Sequence, residues 1–298
     1  MSYVRSLVSL VFGPLLLASG CASPVAFVTS EGGEDDFGEQ GTPVRGSPTG
    51  DHRIILNGLP TSLFVTHRAA LVDLAGGALT PNAAAKSPLI QSDEGRLLLS
   101  YVMKCALGGG DALTVQHQGT SFVFDGGVGL AVNWKAGALS APEKRWVSAC
   151  LLAHSNAFGH KVPISLRGNH PALATTADEE AQYPVEEGAF YGDLFAAQAG
   201  AAPMFACSGL GLSDPCELAS NEWLDERVCA QAAGEVSECG FYVPGDCYNF
   251  AAAAPGACAT VDGDGYGACS DGAGAPVYEE IITVYLQHGA ASSCGSGG

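Results

Sequence analysis

Cys150 and His154 stand four residues apart in the stretch WVSACLLAH, the spacing at which two side chains meet on one face of a helix. An imidazolium beside a thiol stabilises the thiolate, the form of cysteine that attacks an electrophile. This is the sharpest arrangement for nucleophilic chemistry in the chain. The cysteine content favours a different use of the same residues, with Cys150 bridged to Cys105 between two helices and His154 at a partly exposed rim.

Other constellations are weaker. The run FACSGL around Cys207 resembles the Cys-Ser-Gly of a family of cell-wall cysteine peptidases. Ala206 stands where that family carries Asp, and His288 is the only histidine downstream, so a bridging cysteine beside a turn is the preferred reading. His154, His160 and His170 follow one another at intervals of six and ten, which match no zinc-ligand spacing. Asp262 and Asp264 alternate with glycines and precede Asp271, a pattern resembling part of a calcium loop. Thr260 would take the first ligand position there, and a Gly-rich acidic turn explains the same residues. The doublets Glu186/Glu187 and Glu279/Glu280 offer carboxyls for glycoside hydrolysis, but neighbours in a strand face opposite ways and neither doublet makes a pair alone. Arg167 is expected to pair with one of the many acids, and Trp134, Trp146 and Trp223 to pack in the core. No residue set is assigned a catalytic or cofactor-binding role. Calcium at Asp262, Asp264 and Asp271 is the one cofactor the sequence raises.

Charge narrows the partners. The 298 residues carry 13 Lys+Arg against 31 Asp+Glu, a net charge of −18. Such a surface repels phosphate backbones and excludes nucleic acid as a partner class. It equally disfavours docking on anionic lipid through a basic patch.

Cysteine usage indicates the compartment. Eleven cysteines are present and no C-x-x-C occurs. With Cys21 set aside, ten can bridge: Cys105, Cys150, Cys207, Cys216, Cys229, Cys239, Cys247, Cys258, Cys269 and Cys294. So many without zinc spacing imply an oxidising, extracytoplasmic setting. The N-terminus agrees. Arg5 precedes an apolar run over residues 7–17 and then small residues, the pattern of a signal peptide over residues 1–20. Leu17-Ala18-Ser19-Gly20-Cys21 resembles a bacterial lipobox with its Leu displaced by one place. The resemblance implies lipid modification at Cys21, anchoring by three acyl chains, and, with a non-acidic Ala22 following, an outer-membrane destination.

The elements follow in order. Residues 21–51 are rich in Gly, Pro, Ser and acid and read as a disordered tether. A helix is expected over residues 62–79, ended by Gly76-Gly77, and another over residues 92–107 behind a Ser92 cap. Residues 112–117 and 120–124 form a hairpin about Gln118-Gly119. Ser140 with Glu143 is a capping box opening a helix that runs towards Gly159. Val162, Ile164 and Leu166 alternate as a strand, which Pro163 moves to an edge or leaves unpaired at its start. Residues 187–195 (EGAFYGDLF) read as a Gly-punctuated aromatic loop, residues 215–231 as weakly helical, and residues 280–286 as a late strand closing onto the sheet.

Several blocks, Cys105-Ala106-Leu107, WVSACLL at 146–152, ISLRG at 164–168, EGAF at 187–190 and Cys239-Gly240-Phe241, resemble a group of secreted, cysteine-rich bacterial lipoproteins without known activity. The resemblance covers roughly residues 95–270. It implies location and a shared fold, and supplies no catalytic residue. The expected fold is α+β, with mixed helices and a small antiparallel sheet over residues 52–200, and a disulfide-rich, loop-dominated part over residues 201–298 packed on the same domain. The expected protein is an outer-membrane or cell-surface lipoprotein with a structural or binding role. The alternative is an envelope hydrolase of glycan or peptide with a Cys/His or paired-carboxylate site.

Overall fold

The computed structural model describes residues 55–56, 58–156, 159–196, 203–225, 227, 235–237, 239–249, 256–262, 265–272 and 274–289. The signal segment, Cys21 and the tether lie outside them, as do Cys229, Asp264 and Cys294. Residues Val44–Gly298 form one compact unit.

The fold is α+β. In chain order the main strands are β1 (Ile55–Leu56), β2 (Leu59–Pro60), β3 (Ala112–His117), β4 (Thr120–Asp125), β5 (Ser155–Asn156), β6 (Pro163–Arg167) and β7 (Val185–Gly192). They continue as β8 (Met204–Ser208), β9 (Glu235–Val236), β10 (Tyr242–Val243), β11 (Cys258–Asp262), β12 (Gly265–Cys269) and β13 (Ile282–Leu286). Among the described residues a seven-stranded sheet runs β1-β6-β13-β7-β8-β10-β9, antiparallel except for the β8–β10 pair. The late strand β13 is thus inserted between β6 and β7, and chain from beyond residue 203 continues the same sheet.

The helices are α1 (Ser62–Ala75), α2 (Pro81–Lys86), α3 (Asp93–Ala106), α4 (Ala141–Ala153), α5 (Ala177–Gln182), α6 (Pro215–Ser220) and α7 (Glu222–Asp225). Ser92 accepts a hydrogen bond from Gly95 N at the start of α3, and Ser140 with Glu143 closes a full capping box on α4. Helix α4 lies across β7 and β13 and packs on α3, which buries Val147, Cys150 and Leu151 completely. Gln118 and Gly119 both have positive φ, as a two-residue β3–β4 turn requires.

Three expectations are corrected. Of the loop expected over residues 187–195, residues 187–192 instead belong to the central strand β7 (Val185–Gly192), and 193–195 follow it outside the strand. The strand is buried on both faces from Glu187 onward, so it shows no polar alternation, and its glycines serve close packing rather than turning. A Cβ on Gly188 would stand 2.2 Å from the Cys207 carbonyl oxygen of β8. Strand β6 is interior, between β1 and β13, so of the two alternatives the edge fails and the unpaired start holds on the β13 side. Pro163 is tolerated because the β13 register reaches only Ser165 to Arg167, leaving the proline opposite Leu56 of β1. Helix α4 ends at His154 rather than near Gly159, because Ser155 and Asn156 leave as β5 to pair in parallel with β2.

Disulfides join Cys105–Cys150, Cys207–Cys247 and Cys258–Cys269, and Cys216 and Cys239 are also disulfide-bonded. The first pins α3 to α4, the second ties β8 to the segment after β10, and the third crosses the β11–β12 hairpin.

Candidate functional site

A β-bulge builds the site. Strand β7 pairs with β13 through Gly188↔Val284 and Glu186↔Tyr285, which leaves Glu187 as the extra residue. A bulge re-aims the side chain it carries. Here it turns Glu187 to the face that holds Phe190 and Arg227, while Glu186 goes to the opposite face, where the hydroxyls of Tyr266 and Tyr285 donate to its carboxylate.

Arg227, just beyond α7, meets Glu187 with Nε donating to Oε2 at 2.8 Å. Its Nη2 donates to the Ala153 carbonyl at the C-terminal end of α4 at 3.0 Å, where the helix dipole favours a cation. The guanidinium also stands 5.9 Å from the Phe190 ring. The two charged side chains are 1% and 8% exposed. Burial pushes the Glu187 carboxyl up, and the charge and hydrogen bond of Arg227 pull it partly back.

This pair forms part of the wall of a cavity of about 350 Å³, a size suited to a small ligand. Phe190, Leu212, Phe241 and Val243 supply apolar wall, and Ser155, Ser208 and Ser237 bring hydroxyls. Leu218 of α6 also lines the cavity yet is 52% exposed, and Leu210 nearby in sequence is 54% exposed. Cys207 reaches the same cavity, but as one half of the Cys207–Cys247 bridge.

The last turn of α4 forms the support behind Ser155. His154 is fully buried, not at a rim. Its Nδ1 donates to the Cys150 carbonyl at 2.7 Å, and its ring meets Tyr101 edge-on at 5.5 Å. Burial lowers its pKa to about 4, with the Cys150 hydrogen bond opposing and the charges of Lys104 and Arg227 adding to the fall. The histidine is therefore neutral. Both sulfurs near it, at 3.5 Å and 3.9 Å from Nδ1, belong to the Cys105–Cys150 bridge. A bridged sulfur is neither a thiolate nucleophile nor a thiolate metal ligand, so this trio acts as a packed joint between helices.

The remaining sequence candidates fall in separate places. His160 binds Asn156 through its backbone, and His170 caps the short helix Pro171–Leu173 while its ring packs on Trp146. Arg167 donates to Tyr183 O at 2.6 Å and Ser165 Oγ at 3.2 Å, and lies 3.8 Å over the Tyr285 ring. Ser165 donates in turn to Glu179. Trp134 is buried, and Trp146 and Trp223 pack against the core. Glu280 pairs with Arg145, and Glu279 accepts from Ala268 N. His288 pairs through Nδ1 with Glu217 at 2.6 Å, and Asn221 donates to the other Glu217 oxygen.

The hairpin separates the calcium candidates. Asp262 pairs with Gly265 at the turn end, whereas Asp271 follows Cys269 beyond the opposite end. At strand rise they lie on the order of 15 Å apart, and Asp264 is outside the described residues. The structure does not bring Asp262 and Asp271 together.

Arg227 went unseen in the sequence. The Glu186/Glu187 doublet was the one signal near it, and nothing in the spacing joined residues 187 and 227. The chain matches no known family model, no curated protein and no solved structure. Among the described residues, no helix is long and apolar enough to cross a membrane.

Proposed function

We propose that this chain is an extracytoplasmic, lipid-anchored binding protein whose ligand enters the Glu187–Arg227 cavity. The carrying observation is that cavity: about 350 Å³, mostly apolar walled, with a buried ion pair set into it by a β-bulge. Eight cysteines in disulfides support an oxidising compartment. The signal-like residues 1–20 and Cys21 support acylation there.

Binding is favoured over hydrolysis by how the reactive groups are used. Cys150 and Cys207 are bridged, and His154 is neutral and sealed. Glu280 and Glu217 are each held by a cation or an amide, and Glu187 is paired with Arg227 through one oxygen. The test is fluorescence of N-phenylnaphthylamine, an uncharged apolar dye, with the oxidised compact unit, residues 44–298. Saturable brightening that is lost in both Ala206→Trp and Val243→Trp is expected, since each fills the cavity from a different strand. Equal brightening in both folded variants would refute the site.

A further inference from the structure

The polar part of the cavity specifies the head group of what it binds. We infer that the ligand is an uncharged amphiphile: an alkyl or aryl body carrying one amide- or alcohol-type head. This inference rests on the cavity being a binding site and adds its chemical class.

Three observations carry it. First, the ion pair is internally balanced. Glu187 and Arg227 contribute one charge of each sign at 2.8 Å, so among the described residues the lining carries no net charge for a charged head to neutralise. An anionic head would stand beside the Glu187 carboxylate, within a chain of net charge −18. A cationic head would compete with Arg227 for Glu187 and strip a buried guanidinium of its carboxylate, which is costly.

Second, the hydrogen-bonding groups suit a head that both donates and accepts. A carboxylate has about four acceptor sites, and the Arg227 Nε bond uses one of those on Glu187. An amide N–H or an alcohol O–H can therefore donate to Glu187. Ser237 Oγ accepts from Phe241 N at 3.2 Å, a bond that leaves the serine's own proton for donation. With Ser208 it can donate to the head's oxygen.

Third, the apolar wall is continuous with exposed leucine. Phe190, Phe241 and Leu212 line the interior, and Leu218 extends the lining to solvent. An apolar body longer than the cavity would follow that wall outward, where burying it removes both ligand and leucine surface from water.

The experiment is isothermal titration of the full chain in phospholipid nanodiscs, with empty nanodiscs as blank. The probes share one chain and differ in head: hexanamide, hexanoate and hexylamine at neutral pH. Hexanamide is expected to bind roughly tenfold more tightly than either charged probe, a difference of about 1.4 kcal/mol. Its heat should vanish in Ala206→Trp and Val243→Trp, which keep the ion pair. Hexanoate or hexylamine binding as tightly as hexanamide, and lost in the same variants, would overturn the inference and leave the site standing. No saturable heat from any probe, or heat unchanged in both variants, would overturn the site and the inference together.

Discussion

Arg227→Met isolates the central electrostatic feature. Methionine keeps much of the apolar stem but removes the guanidinium, leaving Glu187 buried beside Phe190 without its Nε donor and uncovering the Ala153 carbonyl. Breaking one side of a buried ion pair costs about 3–5 kcal/mol. For a body of this size that corresponds to a fall in Tm of roughly 6–20 °C. The loss should depend on pH. Burial already holds the Glu187 pKa above its ordinary value, and Arg227 is what opposes the rise. Removing Arg227 lifts it further. A carboxyl raised in the folded state favours folding when protonated, so its penalty is absent below the unfolded carboxylate pKa and grows as pH rises through the folded one.

Thermal melts of the oxidised 44–298 unit from about pH 5 to about pH 8 should therefore show Arg227→Met closest to the parent at the acid end and furthest from it at the alkaline end. Adding Glu187→Gln should restore stability at the alkaline end, by about 2 kcal/mol or more, because the stranded charge is gone. A single variant that loses less than about 1 kcal/mol at every pH, within the range of exposed pairs, would refute the reasoning. It would mean that the pair is solvated and that the cavity wall is not the low-dielectric surface its exposure indicates.

Two further outcomes test the support behind the cavity. Replacing Cys105 and Cys150 together by Ala opens a cross-link spanning 45 residues, worth about 4 kcal/mol by loop entropy, and urea unfolding should show that loss; a shift below about 1 kcal/mol would deny the bridge its role. His154 has the opposite pH sign from Glu187: with its pKa depressed from 6.5 to about 4, its contribution is full above 6.5 and is lost as pH falls through that interval, by up to about 3 kcal/mol. His154→Gln should flatten the acid limb of the melting-temperature curve, and an unchanged limb would place the acid sensitivity elsewhere.

Much of the scaffold was legible because it depends on local chemistry. The Ser92 and Ser140 caps and the Gln118-Gly119 turn each follow from a few neighbouring residues. Strand β7 was not legible, because its signal lies in its partners. Gly188 reads as a loop residue in isolation, and only the Cys207 carbonyl of β8, 2.2 Å from where a Cβ would stand, shows that glycine is there to admit a neighbouring strand. His154 misled for the same reason. Polar residues usually mark a surface, but this one is enclosed by Tyr101, the α4 carbonyl and a disulfide contributed mostly from other turns.

The candidate site lies furthest from local legibility, since it depends on one unpaired residue in a ladder. Were β7 regular against β13, Glu187 would share a face with Ala189 and Tyr191, and Glu186 would share one with Gly188 and Phe190. The bulge reverses that assignment over a single step. It delivers Glu187 to Arg227 and Glu186 to Tyr266 and Tyr285. A doublet that by strand geometry alone cannot act as a pair thus becomes two separate anchors, one on each face of the central strand. One closes the packing against the hairpin side. The other charges the wall of the cavity, and deleting the extra residue would remove that charge while leaving Glu186 on the face it already occupies.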